Sequence, residues 1–289
     1  MPVPLPPRQV AASLRRRVLE HVLANGGGYM SQACSSAELL ATLYTRVLRL
    51  GASEAPLIPP PYGEHALSGG AWNGPRAPEL DRFLFSPVHY ALVLYALLIE
   101  LGRLGPQALR DFNADGSTIE MIGAEHSPGI EVTAGSLAQA LSVGGGIALA
   151  RKLRGEPGRT WVFMSDGELQ EGQTWEALAA ASFHGLDRLA LIMDCNDQQC
   201  DGPMAQVMRV SPTVDRLRAF GWEAREVDGH DPEAIVEASR PADRPVAVLC
   251  RTDPCRGLEL LRSRAPKLHY LRFVDEDERR AYARALEAM

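Results

Sequence analysis

TWVFMSDGELQEGQTWEALAAASFHGLDRLALIMDCN, residues 160–196, is the stretch that decides the fold. Its opening residues form an apolar, β-branched and aromatic run that stops at Ser165-Asp166-Gly167. A polar turn follows, then helical spacing in QTWEALAAASFHGL, then a second apolar run, RLALIMD. Short apolar runs bounded by turn residues read as fully buried strands. Strand, helix and strand in this order predict a right-handed βαβ crossover, and therefore a parallel sheet. PVAVLCRT (245–252) supplies a further strand of the same kind.

A carboxylate at the tip of such a strand is placed for chemistry. Ligands of open α/β sheets bind beyond the carboxyl ends of the strands. Asp166 lies at one such end and Asn196 at the next, one crossover later. Mg²⁺ takes hard oxygen ligands, commonly one or two carboxylates together with phosphate oxygens. Gly167 permits close backbone approach, and the helix after it offers free N–H groups to an anion. These residue types at this spacing point to a Mg²⁺–phosphate site. An isolated Asp-Gly is more often a turn; the companion residues Glu168, Glu171-Gly172, Trp175-Glu176-Ala177 and Asp194-x-Asn196 make the pattern far more specific.

Outward from this segment the chain is predominantly helical. PPRQVAASLRRRVLEHVLANGGG predicts a Pro-initiated, Gly-terminated helix, and SSAELLATLYTRVLRLG a second one capped by Ser35 or Ser36. Residues 51–80 form a long Pro/Gly-rich loop, of a length often tied to function, here expected at a substrate entrance. SPVHYALVLYALLIELGRL predicts a buried core helix. AGSLAQALSVGGGIALARKLRG predicts another, whose three inner glycines imply close packing against a neighbouring backbone. DEDERRAYARALEAM predicts a charged, exposed helix. The 289 residues are expected to form one α/β domain, a parallel sheet flanked by helices.

Composition excludes several classes of function. The net charge is −6 and no basic run occurs, so nucleic acid is not an expected partner. The N-terminus has no signal-peptide core and no segment has the length of a membrane span, so a cytoplasmic location without membrane attachment is expected. Five cysteines without a CxxC pair argue against a disulfide framework or a structural zinc, and imply reduced thiols.

Residues 165–202 resemble the thiamine diphosphate motif of the transketolase family, a G-D-G followed by an asparagine one crossover later, with Ser165 at the first glycine. DRFLFSPVH (81–89) resembles the family's D-R-F-x-x-S-x-G-H, and SPGIEVTAGSLAQA (127–140) its T-P-G-V-E-x-x-T-G-x-L-G-Q-G. VDGHD (227–231) and RGLELLRSRAPKLHY (256–270) match further family segments. The resemblance implies the thiamine diphosphate-binding fold. It implies Mg²⁺ held by the side chains of Asp166 and Asn196 and the backbone carbonyl of Gln198. It puts Gly135, Ser136 and Leu137 at the thiamine ring, Ser165, Gly167, Glu168 and His269 at the cofactor, and His89 and His269 at the substrate. His230 is read as structural.

The family pattern also breaks. Tyr29 stands where the family has a histidine near the reacting carbon, and a phenol titrates far above neutrality. The family's G-H-P segment has no histidine counterpart in EMIGAEHSPG, although His126 is close by, and the lysine of a later turn is Pro254. A family member also needs a pyrimidine-binding domain that supplies an activating glutamate. Nothing after His269 has room for it, so the resemblance implies the N-terminal subunit of a split transketolase, in an α2β2 assembly with a C-terminal, pyrimidine-binding subunit. Glu171 would face the partner's glutamate. The expected reaction moves a two-carbon unit from a ketose or 2-oxo acid donor to an aldehyde acceptor. The alternatives are the α-subunit of a 2-oxo acid dehydrogenase or decarboxylase, and a non-catalytic paralogue that stabilises a partner.

Overall fold

The computed structural model of the chain describes residues 5–63 and 67–289. The N-terminal half contains α1 (Pro7–Asn25), β1 (Gly27–Gly28), α2 (Met30–Thr42), β2 (Arg82–Phe85), α3 (Ala91–Glu100) and α4 (Gln139–Leu153). Then come β3 (Thr160–Ser165), α5 (Gly172–Phe183), β4 (Leu189–Cys195), β5 (Gln198–Gln199), β6 (Gly202–Pro203), α6 (Met204–Val207) and α7 (Thr213–Ala219). The chain closes with β7 (Glu223–Asp228), α8 (Pro232–Ala238), β8 (Val246–Arg251), β9 (Leu271–Arg272) and α9 (Glu276–Glu287).

Five strands make one parallel sheet in the order β2-β3-β4-β8-β7. Successive side chains of a strand point to opposite faces, and the core divides accordingly. Phe83, Phe85, Trp161, Phe163, Ile192 and Val248 pack on the face covered by α1, α2 and α3. Leu84, Val162, Met164, Leu191, Met193 and Leu249 pack on the face covered by α4, α5 and α7. With both faces covered, β3 and β4 are buried along their whole length, which is why each reads as an unbroken apolar run.

Several expectations are met and others are amended. α1 begins with Pro7 in its first turn and ends at Gly26, whose φ of 74° is the left-handed closure that glycine favours. α2 begins at Met30, five residues before the predicted cap. Ser35 and Ser36 lie inside the helix, where Ser36 Oγ donates to the Gln32 carbonyl at 2.6 Å. All thirteen residues of α2 are buried, so no polar face marks its start. Of the three glycines in α4, only Gly144 is packed: an added Cβ would lie 2.6 Å from Val162, a side chain rather than a backbone. Gly145 and Gly146 face open space.

The described part of the 51–80 loop holds one short 3₁₀ segment, Gly69–Asn73, and braces the chain near residues 125–131. Gly69 N–H donates to the Glu125 carbonyl at 2.6 Å, Gly129 N–H to the Gly69 carbonyl at 2.8 Å, and Asn73 Nδ2 to the Gly129 carbonyl at 3.2 Å. α9 is mostly exposed, but Tyr282 anchors it in the core. Among the described residues no helix is long and apolar enough to cross a membrane. None of the five cysteines is in a disulfide.

Candidate active site at the carboxyl edge of the sheet

Strands β3, β4 and β8 end in register, with Ser165 beside Asp194 and Asp194 beside Cys250. Asp166 and Asn196 therefore emerge from neighbouring strand ends on one rim. The backbone at Asp197 turns through φ 57°, a left-handed value that aspartate tolerates better than most residues. The turn points two N–H groups back at the rim. Asp197 N–H donates to Asp166 Oδ2 at 2.8 Å, and Gln198 N–H donates to Asn196 Oδ1 at 2.9 Å. The loop of Asn196 and Gln198 is thereby tied to Asp166 at the neighbouring strand end.

The other carboxylate oxygen, Asp166 Oδ1, is buried and has no hydrogen-bond partner among the described residues. Leaving such an atom unsatisfied is costly. Burial, and next the negative charge of Asp194, push the Asp166 carboxyl well above the usual carboxylate range. Asp194 is itself fully buried, and burial raises it as well, against hydrogen bonds donated by Ser35 Oγ at 2.6 Å, by Tyr90 OH at 2.8 Å and by Thr252 Oγ1. Two buried carboxylates with one oxygen unpartnered suit a cation as a partner. Asn196 Nδ2 is within reach of Tyr90 OH at 3.1 Å and Asp194 Oδ2 at 3.3 Å. That fixes the amide with its carbonyl oxygen turned to Gln198 N–H. Ser35, Tyr90 and Thr252 are positioning residues that the sequence leaves outside the site, and they act through Asp194, a member of the Asp194-x-Asn196 pattern.

Glu168, expected at the cofactor, is a wholly buried brace. Its Oε1 accepts from Ser86 Oγ and from Ala138 N–H at 2.9 Å; its Oε2 accepts from Ser165 N–H at 2.8 Å and Ser165 Oγ at 3.2 Å. One carboxylate thus joins the tip of β2, the tip of β3 and the loop of Gly135, Ser136 and Leu137. That loop is exposed just before α4, and Ala138 closes it at φ 68°. Gly167 is open: an added Cβ would meet only Gln199 Cβ, at 3.6 Å. The chain itself has no steric need for glycine here, and the space suits a bound group. Gly167→Ala is therefore expected to leave the melting temperature unchanged while weakening thiamine diphosphate binding about tenfold, read by calorimetry. Unchanged affinity would place the diphosphate elsewhere.

A second cluster faces the rim. His89 sits on a single 3₁₀ turn at the tip of β2, Tyr29 follows β1, and His269 precedes β9. β1 and β9 pair antiparallel, Gly27 with Arg272 and Gly28 with Leu271, and this clasp carries Tyr29 and His269 together. Ring centroids lie 5.0 Å apart for His89 and His269, 5.4 Å for Tyr29 and His269, and 5.7 Å for Tyr29 and His89. Burial, with His269 beside it, pushes His89 down to about 3, and burial also lowers His269. Both imidazoles are therefore neutral at pH 7, each with one N–H donor and one lone pair. Neither ring is used in a hydrogen bond among the described residues. Burial raises the Tyr29 phenol further, so it remains a neutral hydroxyl.

Other expected residues lie apart. Glu171 caps α5 on the exposed surface. His126 pairs with Glu120 at 3.2 Å and stacks on Tyr62, outside the imidazole cluster. His230 is structural: its Nε2 accepts from Asp253 N–H at 2.8 Å, so Nδ1 carries the proton that is donated to Glu38 at 2.9 Å.

Comparison with known proteins identifies the family. Residues 70–258 match the family model described as transketolase, thiamine diphosphate binding domain. The chain is 35% identical over 281 residues to a transketolase family protein of Sinorhizobium fredii, y4mO, covering 95% of this chain and 92% of that one. It is 30% identical to the 6-deoxy-6-sulfo-D-fructose transketolase subunit SqwG of a Clostridium species, over 84% of this chain and 83% of that one. Human transketolase is also 30% identical, but this chain spans only 37% of its length. A solved transketolase of Pichia stipitis, in complex with fructose-6-phosphate, superposes with a TM-score of 0.72 at 22% identity, over 98% of this chain and 44% of that one; at that identity the likeness shows the fold. The chain therefore belongs to the transketolase family and carries that family's thiamine diphosphate-binding domain.

Proposed function

We propose that this chain is one subunit of a two-component, transketolase-like transferase that works with thiamine diphosphate and Mg²⁺. The observation that carries the reading is the buried, unpartnered Asp166 Oδ1, at a strand end whose neighbour in the sheet leads to Asn196. Among the described residues no three His, Cys, Asp or Glu side chains converge as a self-sufficient metal cage. A cation here depends on ligand oxygens, as Mg²⁺ bound with a diphosphate does. Asp166, Asn196 and the Gln198 carbonyl would hold the metal, the loop of Gly135, Ser136 and Leu137 would border the thiamine ring, and the space at Gly167 would admit the diphosphate.

Thiamine diphosphate supplies the electron sink for breaking and forming carbon–carbon bonds. The chain's own residues place and protonate. His89 and His269, neutral at working pH, donate to a substrate oxygen through one nitrogen and accept a hydroxyl proton through the other. Tyr29 donates a hydrogen bond but does not shuttle protons. The transferred piece is a two-carbon ketol or acyl unit, from a ketose or 2-oxo acid donor to an aldehyde acceptor. A separate pyrimidine-binding subunit supplies the activating glutamate opposite Glu171, in an α2β2 assembly. Support comes from the likeness to the SqwG transketolase subunit, matched over 83% of that subunit's length.

The test combines the chain with the product of the adjacent gene, thiamine diphosphate and Mg²⁺, and follows donor consumption with hydroxy-ketoses and with pyruvate. Transfer from a hydroxy-ketose, lost by about 100-fold or more in Asn196→Ala, is expected. Consumption of pyruvate alone would favour a 2-oxo acid dehydrogenase or decarboxylase. Undiminished turnover in Asn196→Ala would refute the site.

A further inference from the structure

The loop that leads into α4 is sparsely tied. Upstream, Ala134 is buried and Thr133 Oγ1 accepts from Glu125 N–H at 3.1 Å. Gly135, Ser136 and Leu137 then run exposed. Of the backbone N–H groups from Val132 to Ala138, only that of Ala138 is hydrogen-bonded among the described residues, and it donates to Glu168 Oε1 at 2.9 Å. Ala138 stands at φ 68° and ψ −11°, a left-handed conformation that costs an alanine energy. One carboxylate oxygen therefore supplies the only hydrogen bond that fixes the α4 end of the loop.

The same oxygen accepts from Ser86 Oγ, on a residue that is fully buried. From Ser86 the chain turns through His89 to Tyr90, whose OH donates to Asp194 at 2.8 Å. His89 makes no hydrogen bond of its own among the described residues, so its ring is placed by these two flanks. Glu168 Oε2 takes the N–H and the hydroxyl of Ser165, within a single turn of chain. Each carboxylate oxygen thus receives one backbone N–H and one hydroxyl. An amide in its place would set an N–H₂ group against one of those backbone N–H groups, neither of which can reverse its role. The Ser165 contact is local, so the longer-range tie to Ala138 is the one an amide gives up.

We infer that Glu168 is a positioning residue that holds the loop of Gly135, Ser136 and Leu137 and the imidazole of His89 in one fixed register. Preorganisation of this kind depends on supports that lock the groups which meet a ligand. The use of that register toward a thiamine ring rests on the transferase reading above, while the anchorage of the loop and of His89 does not.

Hydrogen exchange by NMR on the full chain, without cofactor or partner, is expected to show the Ala138 amide protected about tenfold or more over those of Gly135, Ser136 and Leu137. Equal exchange rates in the unmutated chain overturn the anchor without recourse to any variant. Glu168→Gln should remove the protection and leave the amides of β3 and β4 unchanged. Ser86→Ala, which cuts only the tie to β2, should keep Ala138 protected and shift the His89 ring signals; unmoved ring signals overturn the register. By calorimetry, Glu168→Gln should bind thiamine diphosphate with Mg²⁺ about tenfold more weakly and bind Mg²⁺ with pyrophosphate, which lacks the ring, as before. Undiminished affinity for the first, or equal weakening of both, overturns the assignment to the ring loop. Glu168→Asp keeps the charge without the reach and should match Glu168→Gln; it carries the same measurements if the Gln variant does not fold. Failure of the unmutated chain to bind thiamine diphosphate would refute the transferase reading and leave the exchange rates to decide the anchor.

Discussion

Asp166→Asn is expected to make the isolated chain more stable while destroying its Mg²⁺-dependent hold on thiamine diphosphate. Asp166 is 4% exposed, and one of its oxygens has no partner. Asparagine keeps the shape and the oxygen that accepts from Asp197 N–H, and removes a charge that both burial and Asp194 oppose. Relief of the uncompensated buried charge is worth about 1–3 kcal/mol, a rise of a few degrees in Tm for a chain of this size. The sign with pH follows from linkage. The folded-state pKa of Asp166 lies above its unfolded value, so its contribution is fully present below about 3.8 and is lost as pH rises through the folded pKa. The advantage of the Asn variant should therefore grow from pH 5 to pH 8 in thermal melts. Affinity for thiamine diphosphate with Mg²⁺, by calorimetry, should fall by about 100-fold or more, since a lost metal ligand exceeds the 10–100-fold cost of an outer-shell change. Asp166→Ala removes the same ligand, abolishing Mg²⁺-dependent binding in the assembled complex, but leaves a hole and should gain less stability. An Asn variant that is less stable at pH 8, or that binds as before, would show that the carboxylate is a structural cap. This opposition of stability and binding is what a site built for an absent charge should display.

How far the sequence disclosed this site depends on where each part of it comes from. β3, β4 and β8 were legible because both faces of the sheet are covered, so burial writes itself into consecutive residues. β7, EAREVD, escaped because it is an edge strand with alternating exposure and charge. β2, RFLF, was recognised within a motif rather than as a strand, being only four residues long. Asp166 and Asn196 were legible because one crossover links them. Their supports were not. Ser35, Tyr90 and Thr252 come from three separate segments and meet at Asp194 only when α2, the tip of β2 and the ends of β4 and β8 are assembled. Glu168 shows the limit from the other side: its position in the motif suggested the cofactor, but an acid on the inward side of the turn finds four protein donors first. The joint position of Tyr29 and His269 depends on the β1–β9 clasp, two residues from each strand, which leaves no periodic signal.

Glu38→Gln is expected to be the most destabilising conservative change in the chain, costing about 3–5 kcal/mol, the range for breaking a buried ion pair. Arg15 and Glu38 are 5% and 6% exposed. Arg15 Nη1 donates to Glu38 Oε1 at 2.7 Å, Arg15 Nη2 pairs with Oε2 and donates to the Cys34 carbonyl at 2.9 Å, and His230 Nδ1 donates to Oε2. Burial alone would raise the Glu38 carboxyl. The hydrogen bonds from His230 and Arg15 outweigh it and hold the group at about 2 instead of 4.5. A depression of that size corresponds to about 3 kcal/mol at neutral pH, consistent with the mutational range. Because the folded pKa is lowered, this stabilisation is present above about 4.5 and is lost as pH falls toward 2; the variant should lack that acid-dependent loss. Urea denaturation at pH 7 and pH 3 reads both effects, and a cost below about 1 kcal/mol at pH 7, the worth of an exposed pair, would refute the account. The double change Arg15→Met with Glu38→Leu should recover much of the loss, because apolar replacement of a buried pair is often neutral or better. The pair nevertheless has a consequence at the rim. Glu38 fixes the proton of His230 on Nδ1, leaving Nε2 to accept from Asp253 N–H, and Asp253 follows Thr252, which donates to Asp194. Loosening Glu38 therefore frees one of the supports that aim Asn196, so the single variant should bind thiamine diphosphate more weakly even at temperatures where it remains folded.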